Sequence, residues 1–152
     1  MPIVRQATLE DVATLLPMVR EYWSFEHIAG FASRRVAATL SRLLSEPRLG
    51  VGWIASQDGV AAGYMLAVYV FSLEHGGLTA EIDELFVLPE YRGRGLGQGL
   101  LACAEAEFAR IGCTNVSLQV SQDNHAARNF YCSRGYFPRA GFELLDKQIR
   151  HN

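Results

Sequence analysis

The chain has no run of roughly 18 apolar residues, the length that a membrane-spanning helix requires, so bilayer insertion is not expected. Its three cysteines, Cys103, Cys113 and Cys132, are odd in number and lack CxxC spacing. That excludes an encoded disulfide framework or zinc knuckle, and no metal is expected. Neither sign of charge prevails: 14 basic against 16 acidic side chains leave a net charge of −2, too weak a field to point to nucleic acid. Any anion must therefore be held by local geometry. The first residues show neither the basic start nor the apolar stretch of a signal peptide, so a cytoplasmic setting is expected.

What remains is a chain of 152 residues, 49% hydrophobic and 20% charged, which predicts one globular domain over residues 1–152. A short strand from Ile3 to Ala7 leads to Thr8 and Asp11, spaced as a capping box. Val12, Leu15, Leu16 and Val19 then stand at helical spacing, and the helix runs into the aromatic and acidic cluster from Glu21 to His27. A second helix is predicted from Arg34 to Ser45 with Ser33 as its cap. Val51–Ala55 and Val60–Ser72 read as strands joined by a tight Asp58-Gly59 hairpin, and Thr79–Leu88 as a third long strand. A Gly-rich segment opens a helix carrying Leu100, Leu101, Ala104, Phe108 and Ile111. A strand at Val116–Val120, a helix at His125–Arg134 and a last strand at Phe142–Lys147 complete the reading. Hairpins are antiparallel and a strand-helix-strand unit is a parallel crossover, so the sheet must be mixed and flanked by helices.

The segment Arg92-Gly93-Arg94-Gly95-Leu96-Gly97 lies between strand and helix, where free amides and the helix dipole favour an anion. A P-loop is excluded because no Gly-Lys pair occurs in the chain. A dinucleotide fingerprint at Gly97, Gly99 and Ala102 stands too far beyond the strand. Residues 85–97, LFVLPEYRGRGLG, instead resemble the acetyl-CoA motif of the GNAT superfamily of N-acetyltransferases, with Arg92, Gly95 and Gly97 at its hallmark positions. Asn124, Ala127, Tyr131 and Gly135 match the superfamily's downstream NxxAxxxYxxxG pattern, and residues 83–93 resemble the polyamine-acetyltransferase branch.

The resemblance implies an α/β acyl-CoA N-acyltransferase domain whose mixed, mostly antiparallel sheet splays at the fourth strand. It further implies direct transfer from acetyl-CoA to a primary amine in a ternary complex. Backbone amides of Arg92, Gly93, Arg94, Gly95, Leu96 and Gly97 would hold the pyrophosphate, and Leu85, Phe86 and Val87 would pair with the pantetheine arm. Asn124 and Ala127 would belong to the cofactor site. Tyr131 would contact the cofactor and protonate the leaving thiolate. The Asp83-Glu84 pair breaks the apolar alternation of Ile82, Leu85 and Val87, and a bulge is expected there. Glu81 and Glu84 are alternative general bases, and Tyr22, Trp23, Glu26 and Asp83 are the candidates for reading the acceptor. Carboxylates from Glu21 to Glu84 should make that end of the cleft acidic and favour a small cationic amine. A protein lysine or N-terminus as acceptor, and a CoA-binding module without turnover, stand as alternatives. The partner expected is the small-molecule amine, with a homodimer left open.

Overall fold

A computed structural model describes residues 2–150. Its chain divides into two compact units, Met1–Gln119 and Val120–Asn152.

The first unit holds strands β1 (Pro2–Gln6), β2 (Gly50–Gln57), β3 (Val60–Ser72), β4 (Gly77–Val87) and β5 (Val116–Leu118), and helices α1 (Val12–Phe25), α2 (Ser33–Ser45) and α3 (Leu96–Arg110). The strands form one sheet in chain order, antiparallel from β1 to β4, with β5 parallel to β4 through the α3 crossover. This is the mixed sheet that the hairpin and crossover signals demand, not a continuous parallel one. The β2–β3 hairpin turns on Asp58 and Gly59 at φ +51° and +79°, the mirror-image turn whose twist suits a two-residue loop.

Trp53 and Ile54, adjacent on β2, face opposite sides of the sheet and nucleate two cores. On one side Leu15, Met18, Val19, Val36 and Leu40 of α1 and α2 cover Ile54, Tyr64, Leu66 and Phe86. On the other, Phe108 of α3 meets Trp53 and Tyr69 edge-on, with centroids 5.8 and 6.3 Å apart. The Asp11 carboxylate accepts the Thr8 N–H at 2.7 Å, closing the expected box ahead of α1. Ser33 is not the cap of α2 but its first residue. Ala32 takes the cap position in extended backbone, and the Ser33 hydroxyl accepts instead from Arg20 at 2.8 Å.

The second unit contains α4 (His125–Cys132), capped by Asn124, whose Oδ1 accepts the Ala127 N–H at 3.1 Å. The strand expected over Phe142–Lys147 is absent among the described residues. A strand exists only where a ladder partner satisfies its amides, and here Phe142, Leu144 and Leu145 lie exposed.

Candidate active site

The bulge falls where the acidic pair predicts it. Leu66 pairs with Glu84 and its neighbour Ala67 with Ile82, so β4 carries one extra residue, Asp83, opposite β3. That insertion resets the parity of the strand. Val68 and Leu66 are two apart and share a face, so their partners Glu81 and Glu84, three apart, share it too. Without the bulge Glu84 would turn toward α3. With it, Glu84 joins the face covered by α1.

There Glu84 is only 9% exposed. Its Oε1 accepts the Tyr64 hydroxyl at 2.8 Å and its Oε2 the Trp23 indole N–H at 2.7 Å. Burial pushes its carboxyl up to about 7, against the opposing pull of the two donors, with the charge of Asp83 adding to the rise. Asp83 itself is reached by solvent, yet partial desolvation raises its carboxyl as well. Glu81 is half-buried on the same face.

Tyr22 stands beside this cluster, edge-on to Tyr64 at 6.4 Å and to Phe86 at 5.7 Å. Trp23, expected to read the acceptor, instead spends its only polar hydrogen on Glu84 and sets its ring edge-on to Phe31 at 5.6 Å. Glu26 caps the C-terminal end of α1, its N–H donating to the Tyr22 carbonyl. Tyr64 was not foreseen. A fully buried tyrosine in the apolar run Ala62–Leu66 needs a partner for its hydroxyl, and a carboxylate on the neighbouring strand was the available signal.

Beyond Ile82 no ladder joins β4 to β5 among the described residues, so the sheet splays along the last turn of β4. The Leu88 N–H bonds to the Ala62 carbonyl at 2.8 Å, which makes 62–88 and 64–86 hydrogen-bonded pairs. Phe86 therefore directs its backbone groups to β3, contrary to expectation, while Leu85 and Val87 direct theirs into the splay. The Val87 carbonyl there accepts Arg92 Nε at 2.9 Å.

Past β4 the chain reaches the glycine loop. Gly93 and Gly95 adopt φ +78° and +83°, and Gly95 caps α3. A Cβ at either position would meet nothing within 4 Å, so their backbone stands in open space. The Gly99 N–H makes the first intrahelical bond, to Gly95 at 2.9 Å, so the amides of Leu96 and Gly97 precede any i−4 acceptor in the helix. These features fit a phosphate group. The Arg92 guanidinium is not aimed at such a group: it lies 5.3 Å from the centroids of Phe25 and of Phe86, while Arg94 lies 5.4 Å over Tyr91.

In the second unit Tyr131 is buried against Phe130 and Tyr136 at 5.1 and 5.5 Å. Burial raises its hydroxyl well above the ordinary tyrosine value, so it stays protonated at neutral pH. Among the described residues no cluster of three or more His, Cys, Asp or Glu side chains could hold a metal. No helix is long and apolar enough to cross a membrane.

Comparison with known proteins adds four findings. The family model described as "Acetyltransferase (GNAT) family" matches residues 16–136. An aminoalkylphosphonate N-acetyltransferase of Salmonella typhimurium is 30% identical over 145 residues, 90% of this chain and 86% of the relative. A spermidine N(1)-acetyltransferase of Thermoplasma acidophilum is 23% identical over 139 residues, 88% of this chain and 86% of the relative. Among solved structures, an aminoglycoside N-acetyltransferase in complex with CoA has a TM-score of 0.84 at 20% identity, covering 98% of this chain and 96% of its own, a likeness of fold.

Proposed function

This chain belongs to the acetyltransferase (GNAT) family and is an N-acetyltransferase, and from that premise we propose that it acetylates the primary amine of a small cationic molecule with Glu84 as general base. The observation that carries the reading is a buried carboxylate beside the bulge, held by the Tyr64 hydroxyl and the Trp23 indole N–H, with burial raising its proton affinity. A carboxylate whose proton affinity burial has raised is a better acceptor for the proton that an ammonium of pKa ~10.4 must lose before its nitrogen has a lone pair with which to attack. Glu81 shares the face but lacks the burial and the paired donors that support Glu84.

The family uses acetyl-CoA, and the open amides of Gly93–Gly97 support a pyrophosphate site in this loop. Leu85 and Val87 offer outward backbone groups to the pantetheine arm. Glu84 takes one proton from the ammonium, the freed nitrogen lone pair bonds to the acetyl carbon, the carbon–sulfur bond breaks to leave a thiolate, and the nitrogen sheds its second proton to solvent as the amide forms. Tyr131 is the proposed donor to that sulfur, a role supported by its motif register and by its retained proton. Asn124 and Ala127 form the cap ahead of Tyr131 and are proposed to act with it at the cofactor. Tyr22, Glu26 and Asp83 remain the proposed acceptor contacts.

The two relatives act on amines of opposite character by their names, one bearing a phosphonate and one a polyamine. The Glu81, Asp83 and Glu84 carboxylates favour the cation here. A thiol-release screen over polyamines, aminoglycosides, amino acids, peptides and aminoalkylphosphonates tests this, with polyamine-like cations expected to turn over fastest. A best acceptor that is anionic, or a peptide, overturns the acceptor class. Glu84→Gln should lower kcat 10²- to 10⁴-fold with little change in CoA affinity, as is typical of a lost acid-base group, ~10²–10⁴. An unchanged rate moves the base to Glu81 or to solvent.

A further inference from the structure

We propose that Tyr64 and Trp23 are positioning residues, one on each oxygen of Glu84, that aim this carboxylate at the acceptor and favour its ionised form against the effect of burial. The inference rests on Glu84 being the base and adds what sets its working state.

Three separated parts of the chain converge on one carboxylate. Glu84 comes from β4, Tyr64 from the neighbouring β3 and Trp23 from the last turn of α1. Both contacts are short, 2.8 and 2.7 Å, and each takes a different oxygen. Tyr64 is wholly buried and cannot turn to water for a substitute acceptor. An indole N–H has no acceptor capacity, so Trp23 can only donate. A carboxylate held by two donors has its plane fixed, and each oxygen keeps a second lone pair free to take a proton.

The electrostatic balance at Glu84 gives the two donors their purpose. Desolvation favours the neutral acid, and the nearby Asp83 charge favours it further. The two hydrogen bonds are the opposing influences, because each is stronger to the anion than to the acid. Other titratable groups on this side of the sheet are Tyr22 from α1, packed on Tyr64 and Phe86, Asp83 and Glu81 from β4, and the Arg92 guanidinium over Phe86. Remove one donor and the carboxyl holds its proton to higher pH, where it cannot serve as base.

The experiment combines kinetics with a direct titration. The pH profile of kcat/KM is measured for the wild type, Tyr64→Phe, Trp23→Phe and Glu84→Gln. Alongside, the Glu84 carboxyl is followed by carbon NMR in protein labelled at glutamate, its resonance assigned by its loss in Glu84→Gln. Tyr64→Phe deletes one hydroxyl from a packed ring and Trp23→Phe one N–H with part of a ring. Each is expected to shift the acidic limb of the profile and the Glu84 titration upward together by roughly one pH unit, the scale of a hydrogen bond to a charged group. The rate on the alkaline plateau should fall less than tenfold. If Glu84→Gln leaves the acidic limb in place, Glu84 is not the base and the underlying reading fails. If Glu84→Gln abolishes the limb, yet both donor variants leave limb and titration where they are in the wild type, this inference alone fails and the two donors are packing groups. Should Tyr64→Phe not fold, Trp23→Phe decides by the same criteria, and the wild-type NMR titration adds an independent check, since a carboxyl titrating at the ordinary glutamate value overturns the balance described.

Discussion

Asp11 and Glu84 are both carboxylates at 9% exposure, and they titrate in opposite directions because their partners differ. Asp11 receives Arg5 in a forked pair, Nη1 to Oδ2 and Nη2 to Oδ1 at 2.8 Å each, as well as the Thr8 N–H. The guanidinium, ahead of the desolvation that opposes it, holds this carboxyl well below the usual range. Its stabilisation is thus present above the unfolded value of ~3.9 and is lost as pH falls. Glu84, donated to only by neutral groups, is raised by burial, so the fold prefers it protonated. Its contribution is complete below the unfolded value of ~4.3 and is lost as pH rises toward 7. Denaturant melts across pH should separate the two. Asp11→Asn should cost about 1 to 2 kcal/mol at pH 7, given that Arg5 is half exposed to water, and the loss should shrink in acid. Glu84→Gln should flatten the decline between pH 4.5 and 7, a term of roughly 3 kcal/mol at most. Gly97→Asp, at the anion-binding end of α3, should weaken CoA at least roughly tenfold by calorimetry. Unchanged affinity would remove the loop from the cofactor site.

At the scale of elements, the features that could be read directly were those written into neighbouring residues. The Asp83-Glu84 bulge announced itself because two charges interrupted an alternating apolar run, and the Asp58-Gly59 turn because only a few residue pairs accept two positive φ angles. The glycine loop was legible for the same reason. What escaped were relations between distant positions. Trp23 and Glu84 are 61 residues apart and Tyr64 and Glu84 are 20 apart, and no local spacing records which donor meets which acceptor. That the indole N–H of Trp23 donates to Glu84 was therefore not legible from the aromatic cluster around it. The Phe142–Lys147 segment failed in the converse way: it carries apolar residues, but a strand also needs a ladder, and pairing is not a property of one segment. Serine suits both the cap and the first helical turn, and here the Ser33 hydroxyl accepts from the guanidinium of Arg20, 13 residues away.

For the molecule as a whole, a net charge of −2 is too small to steer an acceptor from a distance, so any preference for cations must come from the carboxylates beside the bulge. The apparent acceptor KM should therefore rise with added salt. Asp83→Asn should raise the acceptor KM several-fold at low salt and leave it nearly unaltered at high salt. Salt independence in the wild type would mark these groups as simply solvated.

The brief β4–β5 pairing sets an order of opening. Three residues, Ala80 to Ile82, register with Val116 to Leu118, whereas the β3–β4 ladder runs from Gly63–Val87 to Ser72–Gly77. Only one of these can detach without disturbing the two cores, and its closure also waits on the long α3 crossover. In deuterated water the backbone hydrogens of β5 should accordingly exchange by local release, in advance of the β2–β3–β4 meander, whose protection should track global unfolding. The edge of the sheet beside the splay would then be the first part of it to breathe.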